Sequence, residues 1–139
     1  MKDDKTAEGN LAFERSCCPL TNGLDIFGDK WTLLIIRDLV LGKRRYQDFI
    51  SSAEKIASNI LADRLKKLEA AGLVRRQAYQ QKPARYEYSL TEKGESLWPV
   101  LAAIISWSRE HYPGTQLFPS VRPRQATDRN QTVKVAEGV

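Results

Sequence analysis

The chain has 139 residues, is 42% hydrophobic and 28% charged, and carries a net charge of +5, which together fit one water-soluble globular domain. Its apolar runs are shorter than the ~18 residues of a membrane span, and its polar first ten residues lack the apolar core of a secretory signal. Its whole cysteine content is the adjacent pair Cys17 and Cys18, which is no disulfide framework, so we expect a cytoplasmic protein without membrane contact.

Positive charge is concentrated in one segment. Residues 42–93 hold 12 lysines and arginines against 6 acidic residues, whereas the rest of the chain is close to neutral. Clustered positive charge is typical of a surface that binds a polyanion such as DNA. A basic face that is only solvated is an equally open interpretation.

The composition divides the chain into an arm, a domain and a tail. Residues 1–16 are polar and of mixed charge, and residues 113–139 contain three prolines and no apolar periodicity. We therefore expect a mobile N-terminal arm (1–16), a folded domain (17–112) and a flexible tail (113–139).

Two helices come first in the domain. Leu20–Phe27 is a predicted helix ended by Gly28, and Asp29 is placed to cap the next helix by accepting hydrogen bonds from its first amides. That second helix is predicted to end at Gly42 and to be buried on most sides, because apolar residues occupy several of its faces.

A short helix over Arg45–Ile50 and a longer one over Ser58–Ala71 follow, the second ended by Gly72. The longer helix has an apolar stripe made of Ile60, Leu61, Leu65 and Leu68. Its opposite face carries Asn59, Ala62, Asp63, Lys66 and Lys67.

The apolar period then changes from that of a helix to that of a strand. Residues 73–79 and 85–90 are predicted strands, joined by a polar linker over 80–84 that contains Pro83. Three helices followed by such a hairpin, or wing, predict a mainly α fold of the winged helix-turn-helix kind.

The longer helix is the candidate to enter a major groove of DNA. Ser58 and Asn59 at its start are expected at base edges, since asparagine can pair with adenine through two hydrogen bonds. Asp63 lies on the same face, where Lys66 and Lys67 are expected to meet phosphates. In the simpler alternative, Ser58 only caps the helix and the lysines are only solvated.

Four further cations are candidate DNA contacts. Arg44 and Arg45, with the amides at the start of the short helix, are expected to hold a phosphate. Lys82 and Arg85 near the wing tip are expected in a minor groove, with a solvated hairpin as an equally open alternative. Arg64 is expected to pair with a carboxylate instead of DNA.

One long last helix is predicted from a cap at Thr91 to about Tyr112, with a kink at Pro99. Apolar residues on several of its sides predict a homodimer, for which an inverted-repeat operator is the matching DNA. A monomer that covers this helix with its own N-terminal segment is the alternative. The expected interface residues are Leu97, Leu101, Ile104, Ile105 and Trp107.

Cys17 and Cys18 precede the first helix. A thiol at a helix N-terminus with Arg15 nearby is expected to have a lowered pKa and to be reactive. An intersubunit disulfide or an electrophile adduct is one hypothesis, and an inert structural cysteine is the simpler one.

Three stretches resemble the HxlR family of winged-helix regulators and together span about residues 17–112. They are CPLTNGLDIFGDKWTLLIIRDLVLGKRRYQDF, IASNILADRLKKLEAAGLV and RYEYSLTEKG, the last followed by Trp98-Pro99-Val100-Leu101. The resemblance implies a homodimeric bacterial transcription factor, often a repressor. It also implies, for several members, a sensor of disulfide stress, quinones or aldehydes that uses a cysteine before the first helix. Cys18, directly before Pro19, matches that position best, while the second, distant cysteine of some redox-sensing members is missing.

No enzyme is predicted. The only histidine is His111, and the sequence offers no defensible carboxylate pair, phosphate loop or metal spacing, so we expect no catalytic residue, metal or cofactor. The second candidate class is a winged helix used as a protein-interaction module, which would not need a basic, asparagine-bearing face. A small-molecule or electrophile effector stays open as a further partner.

Overall fold

A computed structural model describes residues 14–115, and within them the chain forms six α-helices and one antiparallel hairpin. The predicted N-terminal arm and C-terminal tail lie almost wholly outside the described residues. In chain order the elements are α1 Pro19–Phe27, α2 Thr32–Val40, α3 Tyr46–Ile50, α4 Ser58–Ala70, β1 Val74–Gln81, β2 Ala84–Leu90, α5 Glu92–Glu95 and α6 Trp98–His111. This order confirms the mainly α winged helix-turn-helix plan.

Local chemistry explains where the early helices begin and end. Pro19 occupies the first turn of α1, where its missing amide costs nothing. The Asp29 carboxylate accepts hydrogen bonds from the Trp31 and Thr32 amides, each at 3.0 Å, as predicted, although the N-cap position of α2 is Trp31 and not Asp29. Gly42 and Gly72 follow α2 and α4 with φ of 106° and 77°, a backbone that residues with a Cβ seldom adopt.

The core lies where α2, α4, the hairpin and α6 meet. Ile36 of α2 and Leu61 of α4 are completely buried. Val74 and Tyr88 extend the core along the two strands, and Trp98 closes it from α6. The recognition helix expected from the sequence, α4, is therefore held against the rest of the domain along one side.

The hairpin is longer than the sequence predicts. Gln80 and Gln81 belong to β1 and Ala84 belongs to β2, so the turn consists of Lys82 and Pro83, joined by a cis peptide bond. The predicted linker over 80–84 is therefore wrong, because backbone pairing continues through polar residues that show no apolar alternation.

The last helix is two helices, and the single kinked helix of the prediction is wrong. The break falls at Ser96 and Leu97, and Pro99 lies in the first turn of α6. Proline has no amide to donate to the Glu95 carbonyl, and its ring would collide with that carbonyl in a continuous helix. Thr91 does act as the predicted cap, because its hydroxyl accepts a hydrogen bond from the Gly94 amide at 3.0 Å.

Gly94 allows α5 to sit directly on the hairpin. A Cβ at this position would lie 2.1 Å from the Leu73 carbonyl oxygen and 2.9 Å from the Leu90 side chain. Gly23 in α1 differs, since a Cβ there would meet only the Phe27 ring, at 3.4 Å, which is an ordinary contact.

Gly94→Ala is therefore expected to destabilise the protein by about 2 kcal/mol or more, because the backbone must move to admit the methyl group. Gly23→Ala, the matched control in another helix, is expected to be neutral or to stabilise by up to about 1 kcal/mol. Urea denaturation of both variants measures the two free energies of unfolding. Equal stability of the two variants would contradict the close approach at Gly94.

Candidate nucleic-acid interface

One side of α4 is buried and the other is exposed. Leu61, Leu65 and Leu68 are each at most 2% exposed and face the core. Ala57, and not Ser58, is the N-cap residue, so the alternative in which Ser58 caps the helix finds no support. The predicted contact residues share the exposed side: Ser58, Asn59, Asp63, Lys66 and Lys67.

Part of the charge on α4 is paired within the chain. Arg64 Nε lies 2.8 Å from Asp29 Oδ2, which confirms the expected pairing of Arg64 with a carboxylate. Asp63 accepts from Arg64 at 2.5 Å and lies 3.4 Å from Lys67 Nζ. The acidic Asp63 therefore offsets neighbouring positive charge on the face that is predicted to meet DNA.

Asp29 joins the start of α2 to α4. Burial acts to raise the pKa of its carboxyl, but hydrogen bonds from the Thr32 hydroxyl, from Arg64 and from the Trp31 and Thr32 amides outweigh it and lower the pKa to about 2. The carboxylate therefore stays charged over the physiological range and keeps α4 tied to the preceding corner.

The amides at the start of α3 are already bonded within the chain. Asp48 Oδ2 accepts from the Arg44 and Arg45 amides, each at 3.0 Å. A phosphate at these two amides would have to displace Asp48, so the phosphate contact expected there stays a prediction. An acidic residue three positions after the N-cap is the sequence signal that points to this arrangement.

The side chains of Arg44 and Arg45 attach α3 to the wing. Arg45 Nη2 lies 2.8 Å from Glu87 Oε2, and its guanidinium carbon lies 3.7 Å from the centre of the Tyr79 ring. Arg44 Nη1 donates to the Tyr88 carbonyl at 3.3 Å. At the far end of the wing, the predicted contacts Lys82 and Arg85 are exposed.

A buried polar network beside the helix-turn-helix is absent from the sequence-based expectations. Arg37 and Asp38 of α2 are 7% and 4% exposed, and they reach Ser52 and Glu54 in the turn before α4. The Arg37 hydrogen bond is the main cause of a lowered pKa for the Glu54 carboxyl. The sequence signal that could have predicted this network is the adjacent charged pair Arg37 and Asp38 within the otherwise apolar α2.

The expected dimer residues divide into buried and exposed ones. Ile104 and Trp107 of α6 are 48% and 55% exposed, whereas Leu101 is buried in the core and Leu97 is half-buried. Leu101 therefore serves this chain's own packing first. A groove of about 160 Å³ runs between α2 and α6, lined by Leu33, Leu34, Arg37, Leu101, Ile104 and Ile105.

Both cysteines are exposed free thiols, and Cys18 is the N-cap residue of α1. The Thr21 amide, the Thr21 hydroxyl and the Leu20 amide, all in the first turn of α1, lower the pKa of the Cys18 thiol. Of the two causes that the sequence predicts, the helix N-terminus accounts for the lowered pKa of Cys18. Arg15 is not a cause, because its guanidinium donates to Asp25 at 2.6 Å.

Residues 14–115 lack both a metal-ligand cluster and a membrane-spanning helix. No three His, Cys, Asp or Glu side chains in that range are grouped so that they could hold a metal ion. None of the helices in the same range has the length and apolar character needed to cross a bilayer.

Comparison with known proteins points to one family. The sequence profile described as HxlR-like helix-turn-helix matches residues 26–116. The chain is 37% identical over 94 residues to the HTH-type transcriptional regulator YdeP of Bacillus subtilis (strain 168), covering 68% of this chain and 73% of YdeP.

Solved structures agree with that assignment. The redox regulator HypR in its reduced form superposes with a TM-score of 0.63 at 33% identity, covering 69% of this chain and 95% of HypR. The reduced form of the transcriptional regulator YodB from B. subtilis gives 0.59 at 31% identity, covering 71% of this chain and 98% of YodB.

Proposed function

The chain belongs to the HxlR-like helix-turn-helix family and is a transcriptional regulator of the helix-turn-helix type. We propose that it acts as a homodimer and that α4 reads the DNA sequence. The observation that carries the proposal is the exposed polar side of α4, which presents Asn59 and Lys66 opposite a fully buried apolar side. A DNA partner implies a cytoplasmic site of action.

Five exposed residues of α4 have a role in this proposal. Ser58 and Asn59 at the N-terminal end contact base edges, and Lys66 and Lys67 contact phosphates. Asp63 lies between the two groups and, being acidic, disfavours phosphates close to it. The wing residues Lys82 and Arg85 supply a second positive patch next to the groove that α4 enters.

The steepness of salt dependence separates DNA binding from the alternative of a protein-interaction module. DNA binding releases the counterions that phosphates hold, so the affinity of the wild type for duplex DNA falls steeply between about 50 and 200 mM salt. A protein-interaction module would show no measurable affinity for the duplex at the lower salt concentration.

Asn59→Ala is expected to weaken binding to a duplex selected from a random library by about 1 to 3 kcal/mol, because two hydrogen bonds to one base are lost. Lys66→Ala is expected to weaken binding to selected and unrelated duplexes alike, because a phosphate contact carries no sequence information. Fluorescence anisotropy on both duplexes measures this. Unchanged preference in Asn59→Ala would mean that another face of the domain reads the bases.

We propose α6 as the centre of the homodimer. Ile104 and Trp107 are large, apolar and exposed in the single chain, and Leu20 and Leu24 of α1 are exposed as well. Covering such side chains contributes on the order of 1.5 to 3 kcal/mol each, counted twice in a symmetric interface. A two-fold dimer would present two copies of α4 to an inverted repeat, and a protein bound there would act most simply as a repressor.

Ile104→Asp is expected to convert the dimer to a monomer at micromolar concentration, because the new charge would be buried in the interface. Ser106→Asp, which adds the same charge to an exposed residue on another side of α6, is the matched control and is expected to remain dimeric. Sedimentation equilibrium measures both. A monomeric wild type would refute the dimer.

We propose Cys18, with Cys17 beside it, as the site of a redox or electrophile signal. Support comes from the exposed thiol of Cys18 with its lowered pKa, and from the similarity to HypR, which is named a redox regulator. A Cys18 thiolate can add to a quinone. Alternatively, the thiols of two subunits can form a disulfide while an oxidant such as diamide takes up the two electrons and two protons.

Diamide is expected to change the affinity of the wild type for the selected duplex severalfold, because a new bond before α1 alters how the two subunits pack. The variant Cys17→Ser/Cys18→Ser is expected not to respond. Gel-shift titration before and after treatment measures the effect. Equal affinities in all four samples would reduce both cysteines to structural residues.

A further inference from the structure

We propose that Arg37 and Glu54 form a strut that positions α4 for DNA binding, so that Arg37 acts as a positioning residue without touching DNA. The proposal rests on the proposed function, in which α4 is the DNA-reading helix. Its basis is a set of contacts between the end of α2 and the turn of residues 51–57, which leads from α3 into α4.

The first contact is a two-pronged ion pair. Arg37 Nη1 donates to Glu54 Oε2 at 3.0 Å and Arg37 Nη2 donates to Glu54 Oε1 at 2.9 Å. Two parallel hydrogen bonds fix the direction of the Glu54 side chain as well as its distance from α2. The Arg37 side chain is 8% exposed and itself lies 2.9 Å from Asp38 Oδ1, so the strut starts from a group that is held in place.

A second contact anchors the same turn two residues after the end of α3. The Ser52 hydroxyl donates to Asp38 Oδ2 at 2.7 Å. Lys43 Nζ donates to Ser52 Oγ, also at 2.7 Å, from the loop that follows α2. Two positions of one short turn are therefore bonded to the end of α2 through a connected set of polar groups.

The backbone between these anchors and α4 needs such support. Lys55 has φ of 57°, in the left-handed region that residues with a Cβ occupy at a cost. It directly follows Glu54 and is followed by Ile56, which is buried, and by Ala57, the N-cap of α4. A change at Glu54 would therefore be passed to the start of α4, where Ser58 and Asn59 lie.

Stability alone does not account for the strut. The Glu54 side chain is 32% exposed, and an ion pair that keeps contact with water contributes little net stability. What an ion pair with a two-pronged geometry does supply is a defined distance and direction. Arg37 also lines the groove between α2 and α6, so the strut connects the proposed dimer side of the domain to its DNA-binding side.

The test compares Glu54→Ala with Glu92→Ala, which removes the same charge from an exposed residue of α5. Loss of a negative charge by itself favours DNA binding, so Glu92→Ala is expected to bind equally or slightly more tightly. Glu54→Ala is expected to bind the selected duplex at least about tenfold more weakly than the wild type, against the direction of the charge change. Its binding to an unrelated duplex is expected to stay within about twofold of the control.

Two further measurements keep the outcome interpretable. Glu54→Gln retains one acceptor for Arg37 and is expected to recover part of the lost affinity, while thermal denaturation checks that each variant is folded. Hydrogen exchange of residues 51–60 in the absence of DNA is expected to be faster in Glu54→Ala than in Glu92→Ala.

Operator binding by Glu54→Ala that equals or exceeds that of the wild type would overturn the strut, and so would unchanged exchange of residues 51–60. If the wild type shows no preference for the selected duplex, the proposed function fails instead. The exchange measurement would then still decide whether Glu54 holds the turn.

Discussion

Burial of one side of α4 is the constraint on which the functional surface depends. Leu61, Leu65 and Leu68 are almost completely buried in the core, so α4 cannot rotate about its axis without exposing large apolar side chains to water. The opposite side must then face outward, whatever its sequence. The ion pair between Arg64 and Asp29 also opposes rotation of α4. It attaches the side of the helix that lies between the buried and exposed faces to Asp29, which lies before α2.

The sequence predicts this arrangement well because a single helical period determines it. Apolar residues three and four positions apart place α4 and its outer face correctly, and the glycines after α2 and α4 mark their ends. The hairpin and the last helix are predicted less well. Gln80 and Gln81 pair through the backbone, which leaves no apolar pattern to read, and the effect of Pro99 depends on whether a helix kinks or starts afresh at that residue.

Contacts between polar residues that are far apart in the sequence could not be predicted from it. Arg37 and Glu54 are 17 positions apart, and only the packing of α2 against the following turn brings them together. The same holds for Arg45 and Glu87, which are 42 positions apart. Apolar pattern alone likewise cannot tell that Leu101 faces the core while Ile104, three residues further on, stays exposed.

The pairing of Arg45 with Glu87 is compatible with the predicted contact between Arg45 and a DNA phosphate. Both side chains are more than a third exposed, and an ion pair in contact with water contributes little to stability. A DNA phosphate that approached α3 could replace Glu87 as the partner of the Arg45 guanidinium. This exchange would release counterions from the DNA, which the pairing with the Glu87 carboxylate does not. Stacking on Tyr79 would hold the arginine in place during that exchange. If Arg45 contacts DNA as predicted, the intramolecular pair would orient its side chain beside the wing beforehand, so that less side-chain freedom would be lost on binding.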